Sequence, residues 1–245
     1  MPVKIGLIGF GRLGRLIAKN LAQDADLVIY DIAGYQEEIE SIGAKAGTLK
    51  EAASCPVVIP FVPMSAFEEL MKEIASFVQK DALIIDVCSV KTQPVGWMQE
   101  HLPDNVNILG THPMFGPDSA KNTLYGCKIV LCPVRIERQQ FNEIRSYLET
   151  HGLRVIEATP EEHDQQIAHS LLLTHFIGRS LMEFKAESLL IDTKGYRRLM
   201  KILETVENDS WQLFEDMNHY NPYAEETRED FIKSMETIHK KVRKC

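Results

Sequence analysis

Three short stretches of this chain carry residues able to do chemistry. In Thr111-His112-Pro113-Met114-Phe115-Gly116-Pro117, a histidine sits in a proline-bracketed loop that leaves the apolar run Val106-Asn107-Ile108-Leu109-Gly110. An imidazole titrates near pH ~6.5, so His112 can accept a proton close to neutrality. In Asp86-Val87-Cys88-Ser89-Val90-Lys91, Ser89 offers a hydroxyl just past another apolar run. Gly9-Phe10-Gly11-Arg12-Leu13-Gly14 is a GxGxxG pattern between an apolar run and a helical one. There Gly9 makes a tight turn, Gly11 admits the backbone to a pyrophosphate, and Gly14 lets helix and sheet pack closely. A dinucleotide that takes a hydride, beside an imidazole that takes a proton, is the equipment for oxidising an alcohol.

The surrounding pattern says how these stretches are positioned. Val3-Lys4-Ile5-Gly6-Leu7-Ile8 reads as a buried parallel strand, residues 12–23 as a helix, and Asp26-Leu27-Val28-Ile29-Tyr30 as a second strand ending at Asp31. Further apolar runs at 57–59, 82–85, 106–109, 128–131 and 153–156 alternate with helical patterns near 64–78, 92–101 and 137–150. This alternation predicts an α/β, Rossmann-type doubly wound sheet over residues 1–159, a dinucleotide-binding domain. Ligands of such sheets lie outside the carboxyl ends of the strands, which is where the fingerprint, Asp31, Ser89 and His112 fall. A Ser89–His112 hydrogen bond then becomes possible; the alternative is a capping serine and a loop histidine. The cofactor contacts expected are Gly9, Phe10, Gly11, Arg12, Leu13, Gly14 and Asp31. The Asp31 carboxylate suits ribose hydroxyls and repels a 2′-phosphate, and Ile32-Ala33-Gly34 supplies no arginine, so NAD is favoured over NADP.

The texture changes at Thr159-Pro160-Glu161-Glu162, which has the form of a capping box with proline at the first helical position. Residues 160–245 read as a smaller all-helical domain for substrate binding and dimerisation. Its first segment, 160 to about 187, is apolar around much of its circumference, and segments near 194–217 and 224–243 are amphipathic. So wide an apolar arc needs cover from other helices or from a second subunit, and a homodimer is expected. Lys194, Arg197 or Arg198, and Lys201 recur at three- and four-residue steps and so share a helix face that could receive an anion; a solvated basic face is the alternative.

Composition narrows the classes. The chain has 245 residues, 44% hydrophobic and 25% charged, with formal charge −8. This speaks against a nucleic-acid partner, and no run approaches the ~18–20 apolar residues of a membrane span. A strand begins at once after Met1, so a cytoplasmic location is expected. Cys55, Cys88, Cys127, Cys132 and Cys245 show neither CxxC nor metal-ligand spacing; free thiols, with no metal, are expected. His101, His151, His219 and His239 read as surface residues, and Trp97 and Trp211 as packing residues.

The pieces GFGRLG, DVCSVK, GTHPMFGP, His163-Asp164 and His169-Ser170-Leu171-Leu172-Leu173-Thr174-His175 together resemble the prephenate/arogenate dehydrogenase family. Thr174-His175, Gly178-Arg179 and Thr193-Lys194-Gly195-Tyr196 are worded like the plant-type arogenate enzymes. Many bacterial members instead have Ser-His-Leu-Pro-His where this chain has Leu171-Leu172-Leu173-Thr174-His175. The resemblance implies oxidative decarboxylation of a cyclohexadienol acid, with His112 as base, Ser89 holding base and substrate in line, and Thr174 and His175 as substrate contacts. Lys201 aligns with a carboxylate-binding arginine of many bacterial relatives. Asp209, in Glu207-Asn208-Asp209-Ser210-Trp211, resembles a plant-type stretch in which an acidic residue accompanies arogenate preference. Arogenate is favoured, with prephenate the alternative. Other small reductases of similar layout, such as β-hydroxyacid dehydrogenases or pyrroline-carboxylate reductases, and a non-enzymatic NAD-binding sensor remain rivals.

Overall fold

The computed structural model of the chain describes residues 2–120 and 123–243. Its backbone divides into two compact units, Met1–Glu161 and Glu162–Cys245. The first holds an eight-stranded sheet: β1 (Val3–Ile8), β2 (Ala25–Tyr30), β3 (Lys45–Ala46), β4 (Val57–Pro60), β5 (Leu83–Asp86), β6 (Asn107–Pro113), β7 (Lys128–Arg135) and β8 (Arg154–Glu157). Strand order is 3-2-1-4-5-6-7-8, with the reversal of direction across the sheet between β1 and β4. The crossovers carry α1 (Arg12–Leu21), α2 (Gln36–Ser41), α3 (Leu49–Ala53), α4 (Met64–Ile74), α5 (Thr92–His101) and α6 (Arg138–Thr150). Two core clusters form, one around Leu7, Phe10, Ile29 and Ile39 and the other around Leu109, Leu131, Phe141 and Leu153.

Two details differ from the pattern read in the sequence. β7 runs antiparallel to β6, and β8 parallel to β7, so the sheet is mixed. The physical reason is the connection: among the described residues no helix lies between β6 and β7, and a return without a crossover gives an antiparallel pair. His112 is also not in a loop. β6 continues through it to Pro113, and His112 pairs with Val130 of β7. A proline after the histidine is tolerated because it ends the strand. The small elements β3, α2 and α3 were not anticipated, although α3 announces itself: Thr48 and Glu51 form a capping box.

The second unit is helical. α7 (Pro160–Ile167) runs through a π-helical stretch, Ala168–Leu172, into α8 (Leu173–Glu183), so the long helix ends before residue 187. Its buried side consists of His163, Asp164, Ile167, Ala168, Leu172, His175 and Gly178. Leu171, Leu173, Phe176, Ile177 and Leu181 are only partly covered, and Phe184 is exposed. The segment read as one helix over 194–217 is two, α9 (Lys194–Val206) and α10 (Trp211–Tyr220), because Ser210 caps a new helix by accepting from Leu213 N at 3.1 Å. α11 (Ala224–Val242) closes the unit. Trp97 is buried against Phe67, as a packing residue should be, but Trp211 is 57% exposed and sits against Phe214 at the start of α10. Cys55, Cys88, Cys127 and Cys132 are free thiols, whereas Cys245 and Lys244 lie outside the described residues. Among the described residues, no helix is long and apolar enough to cross a membrane.

Candidate active site

The sheet brings four sequence features to one end. The fingerprint follows β1, Asp31 follows β2, Ser89 follows β5, and His112 lies near the end of β6. Gly9 has φ +105°, and a Cβ there would stand 2.4 Å from Phe61 O. A Cβ on Gly14 would stand 2.5 Å from Gly9 O, so any side chain would push α1 off the turn. Above Gly11 there is open space: a Cβ would meet nothing within 4 Å. Gly11 is the N-cap of α1, no side chain caps it, and no acidic residue occupies the first turn. The helix therefore presents amide donors and its positive dipole end without an internal anion, a fit for a pyrophosphate. Arg12 is exposed and pairs with Asp118 at 2.7 Å.

Asp31 does more than await a ribose. Its Oδ2 accepts from Phe10 N at 2.6 Å and its Oδ1 from Ala33 N at 2.8 Å, which ties the end of β2 to the fingerprint. A carboxylate has about four acceptor positions, so both oxygens keep capacity for ribose hydroxyls. An arginine does approach this region, contrary to the expectation drawn from residues 32–34. Arg15 reaches back from α1 to lie over the rings of Phe10 and Tyr35, paired to Glu38.

Beneath Ser89 and His112 lies a buried charge network. The register pairs Asp86 of β5 with Gly110 of β6, so Ser89 and His112 project from the ends of adjacent parallel strands. Asp86 and Lys91 form an ion pair with both side chains fully buried. Lys91 Nζ also donates to Thr111 O at 2.5 Å, and Asp86 accepts from Cys88 N at 2.9 Å and Thr111 N at 3.3 Å. The Thr111 hydroxyl returns a bond to Asp86 O at 2.7 Å. Burial pushes the Asp86 carboxyl up, opposed by Lys91 and by the Cys88 and Thr111 amides. The network clamps the turn that carries Ser89 to the residue preceding His112, which is itself buried.

In the second unit, His175 and Asp209 come together. His175 Nε2 lies 3.7 Å from an Asp209 carboxylate oxygen, and buried Nδ1 has no hydrogen-bond partner. Burial pulls the His175 pKa down, with Asp209 working in the opposite direction. Arg179 donates to the backbone oxygens of Asp209 and Ser210 and so fixes the start of α10. His163 Nδ1 and Asp164 Oδ1 make a buried contact of 2.7 Å. Thr174, by contrast, donates its hydroxyl to Ser170 O in its own helix. Arg197 is exposed and paired with Asp192, and Lys194 and Lys201 are exposed on α9.

A family model described as prephenate dehydrogenase, nucleotide-binding domain, matches residues 17–157. Arogenate dehydrogenase 2, chloroplastic, of Arabidopsis thaliana is 32% identical over 98% of this chain and 70% of its own length. The chain belongs to the prephenate dehydrogenase family. Arogenate dehydrogenase 1, chloroplastic, of the same plant is also 32% identical, over 96% of this chain but 38% of its own length. The plant-type wording read in the sequence agrees with both. A crystal structure of the prephenate dehydrogenase of A. aeolicus, in complex with hydroxyphenyl propionate and NAD+, shares the fold. It superposes with a TM-score of 0.80 at 19% identity, over 100% of this chain and 92% of that one. A second model, described as TYRAAT1-like, C-terminal domain, matches residues 180–244. The family match thus includes Asp31, Ser89, Lys91 and His112, while the glycine fingerprint lies just ahead of it.

The residues missed by sequence reasoning are Lys91, Asp86, Arg15 and Glu38. Only the first two carried a signal: acid and base five apart, straddling Ser89.

Proposed function

We propose that the chain catalyses oxidative decarboxylation of arogenate to tyrosine, with hydride transfer to NAD, in tyrosine biosynthesis. The observation that carries this reading is His112, buried and braced at the same sheet end as a glycine cradle shaped for a pyrophosphate. The names of the Arabidopsis relatives favour arogenate as substrate.

Bound NAD supplies the hydride acceptor. Gly9, Phe10, Gly11, Arg12, Leu13 and Gly14 hold its pyrophosphate and Asp31 its ribose hydroxyls. His112 takes the proton of the ring hydroxyl as the carbon bearing it gives up hydride, and Ser89 keeps hydroxyl and imidazole aligned. The ring ketone so formed is conjugated with ring C=C bonds that adjoin the carboxylate-bearing carbon, as in a vinylogous β-keto acid. Loss of CO₂ leaves that bond's electron pair in the ring, which becomes aromatic, and the oxygen regains a proton. The second unit, 160–245 in this reading, contributes Thr174, His175, Lys194, Arg197, Lys201 and Asp209 to substrate recognition. Asp209 is the candidate partner for the arogenate ammonium, since a buried cation needs a carboxylate. Lys201 can serve as a point charge for a carboxylate but not as an arginine's fork.

A homodimer assembled through the second unit is part of the proposal. Phe184, Leu190 and Ile191 are exposed, and on α11 so are Ile232, Met235, Ile238 and Val242, a stripe at helical spacing. An apolar stripe of this kind marks an association surface. The reading places the enzyme in the cytoplasm, whereas the Arabidopsis relatives are named chloroplastic. Fractionation against compartment markers decides between them.

The test is NADH formation with arogenate and with prephenate, in wild type and Asp209→Asn. Preference for arogenate, reduced by the substitution, supports the reading. Preference for prephenate selects the second substrate, and turnover of neither favours another reductase or a sensor.

A further inference from the structure

The loop leaving β2 carries Asp31 and, four residues later, Tyr35 at φ +24°, an unusual conformation for a side chain of this size. That turn lays the Tyr35 ring 4.2 Å from the guanidinium carbon of Arg15. The Phe10 ring lies 4.9 Å from the same carbon, and Phe10 donates its N–H to Asp31. Asp31 and Arg15 therefore flank a single fingerprint residue, one at its backbone and the other at its ring. Glu38, in the first turn of α2, grips Arg15 as a two-pronged acceptor, from Nε at 2.7 Å and from Nη2 at 2.9 Å. Its carboxyl is held below the ordinary range by the hydrogen bonds from Arg15, with Lys19 adding in the same direction.

A guanidinium is the side chain best built for a phosphate, because its planar fork meets two oxygens at once. In sheets of this type, an arginine near the end of the second strand accommodates the 2′-phosphate of NADP. Here an arginine stands in that neighbourhood with its fork already filled. The pair is only partly exposed, with Arg15 at 25% and Glu38 at 42%, and two rings tilted to each other lie against the guanidinium.

We propose that Glu38 is a determinant of cofactor choice: by occupying Arg15 it denies a 2′-phosphate the cation that would receive it, and so reinforces Asp31. The proposal rests on the NAD reading given above. It has a consequence that a simple staple between α1 and α2 lacks, since opening the clamp would change which dinucleotide binds as well as how stably the domain folds.

The experiment measures dissociation constants for NADH and NADPH by fluorescence titration, and for 2′,5′-ADP by calorimetry. Glu38→Gln should improve NADPH binding relative to NADH by at least about tenfold, the worth of one charge-assisted bond. It should also create measurable 2′,5′-ADP binding. Arg15→Gln in the Glu38→Gln background should remove the gain. Arg15→Gln alone, which leaves Glu38 charged and unpaired, should move the ratio further toward NADH, so the idea stays testable if Glu38→Gln folds poorly. A lowered melting temperature with an unchanged NADPH/NADH ratio in these variants overturns the proposal and leaves a structural staple. Wild type that binds NADH while the ratio stays fixed overturns this inference alone. Wild type that binds neither dinucleotide overturns the NAD reading and this inference with it.

Discussion

Replacing Lys91 by methionine removes the ammonium from the network under the active-site strands while nearly conserving side-chain volume. Lys91 and Asp86 are both fully buried, so the substitution leaves a carboxylate with two backbone donors, Cys88 N and Thr111 N, and no countercharge. Breaking a buried pair from one side costs about 3–5 kcal/mol, because the remaining charge is stranded. For a chain of this size each kcal/mol moves the melting temperature by about 2–4 °C. The expected fall is therefore about 6–20 °C by calorimetry. Thr111 O also loses its partner, and Thr111 directly precedes His112. A displacement of the base by about 1 Å lowers kcat by about 10²-fold. The double substitution Asp86→Asn with Lys91→Met removes both charges and should recover most of the stability, since a buried pair contributes little net once neither charge is present. A Lys91→Met protein that melts like wild type and turns over normally would refute the bracing role. Recovery of stability in the double variant with kcat still low is expected, since Thr111 O still lacks its donor; it would separate the cost of the stranded charge from the positioning of His112.

Two further outcomes are expected. Burial holds the His175 pKa below the ordinary ~6.5, so the unfolded chain binds this proton more readily than the folded one. The stability it confers is complete above that ordinary value and is lost as pH falls through it toward the folded pKa. Urea midpoints between neutral and mildly acid pH should therefore fall more for wild type than for His175→Gln, and equal slopes would contradict this. Light scattering should give twice the 27.9 kDa chain mass, and Met235→Glu with Ile238→Glu should shift it toward the monomer; a monomeric wild type would remove the dimer.

What the sequence made legible follows from what is local. The fingerprint, Asp31 at the end of β2 and the Ser89 turn depend on neighbours within a few residues, and each reads directly from the chain. His112 was legible as a residue type but not as part of a strand, because β6 is extended by pairing with β7 far along the sequence. The antiparallel return showed only as a missing helix between 113 and 128. Lys91 went unread, since its burial depends on Thr111 in the neighbouring strand as well as on Asp86. Arg15 went unread, because the rings and carboxylate that hold it come from two separate loops and a short helix. Trp211 read as a packing residue and does sit against Phe214, yet a helix start capped by Ser210 leaves it more than half exposed.

The role proposed for His112 is that of the base in an NAD-dependent dehydrogenation of arogenate. Its most direct test is the rate of NADH formation by His112→Asn at saturating arogenate and NAD, with NAD affinity measured separately on the same preparation. The expected kcat is lower by about 10²–10⁴, the usual worth of a positioned base, with NAD bound as tightly as by wild type. A near-normal kcat in a variant that binds NAD normally would contradict it.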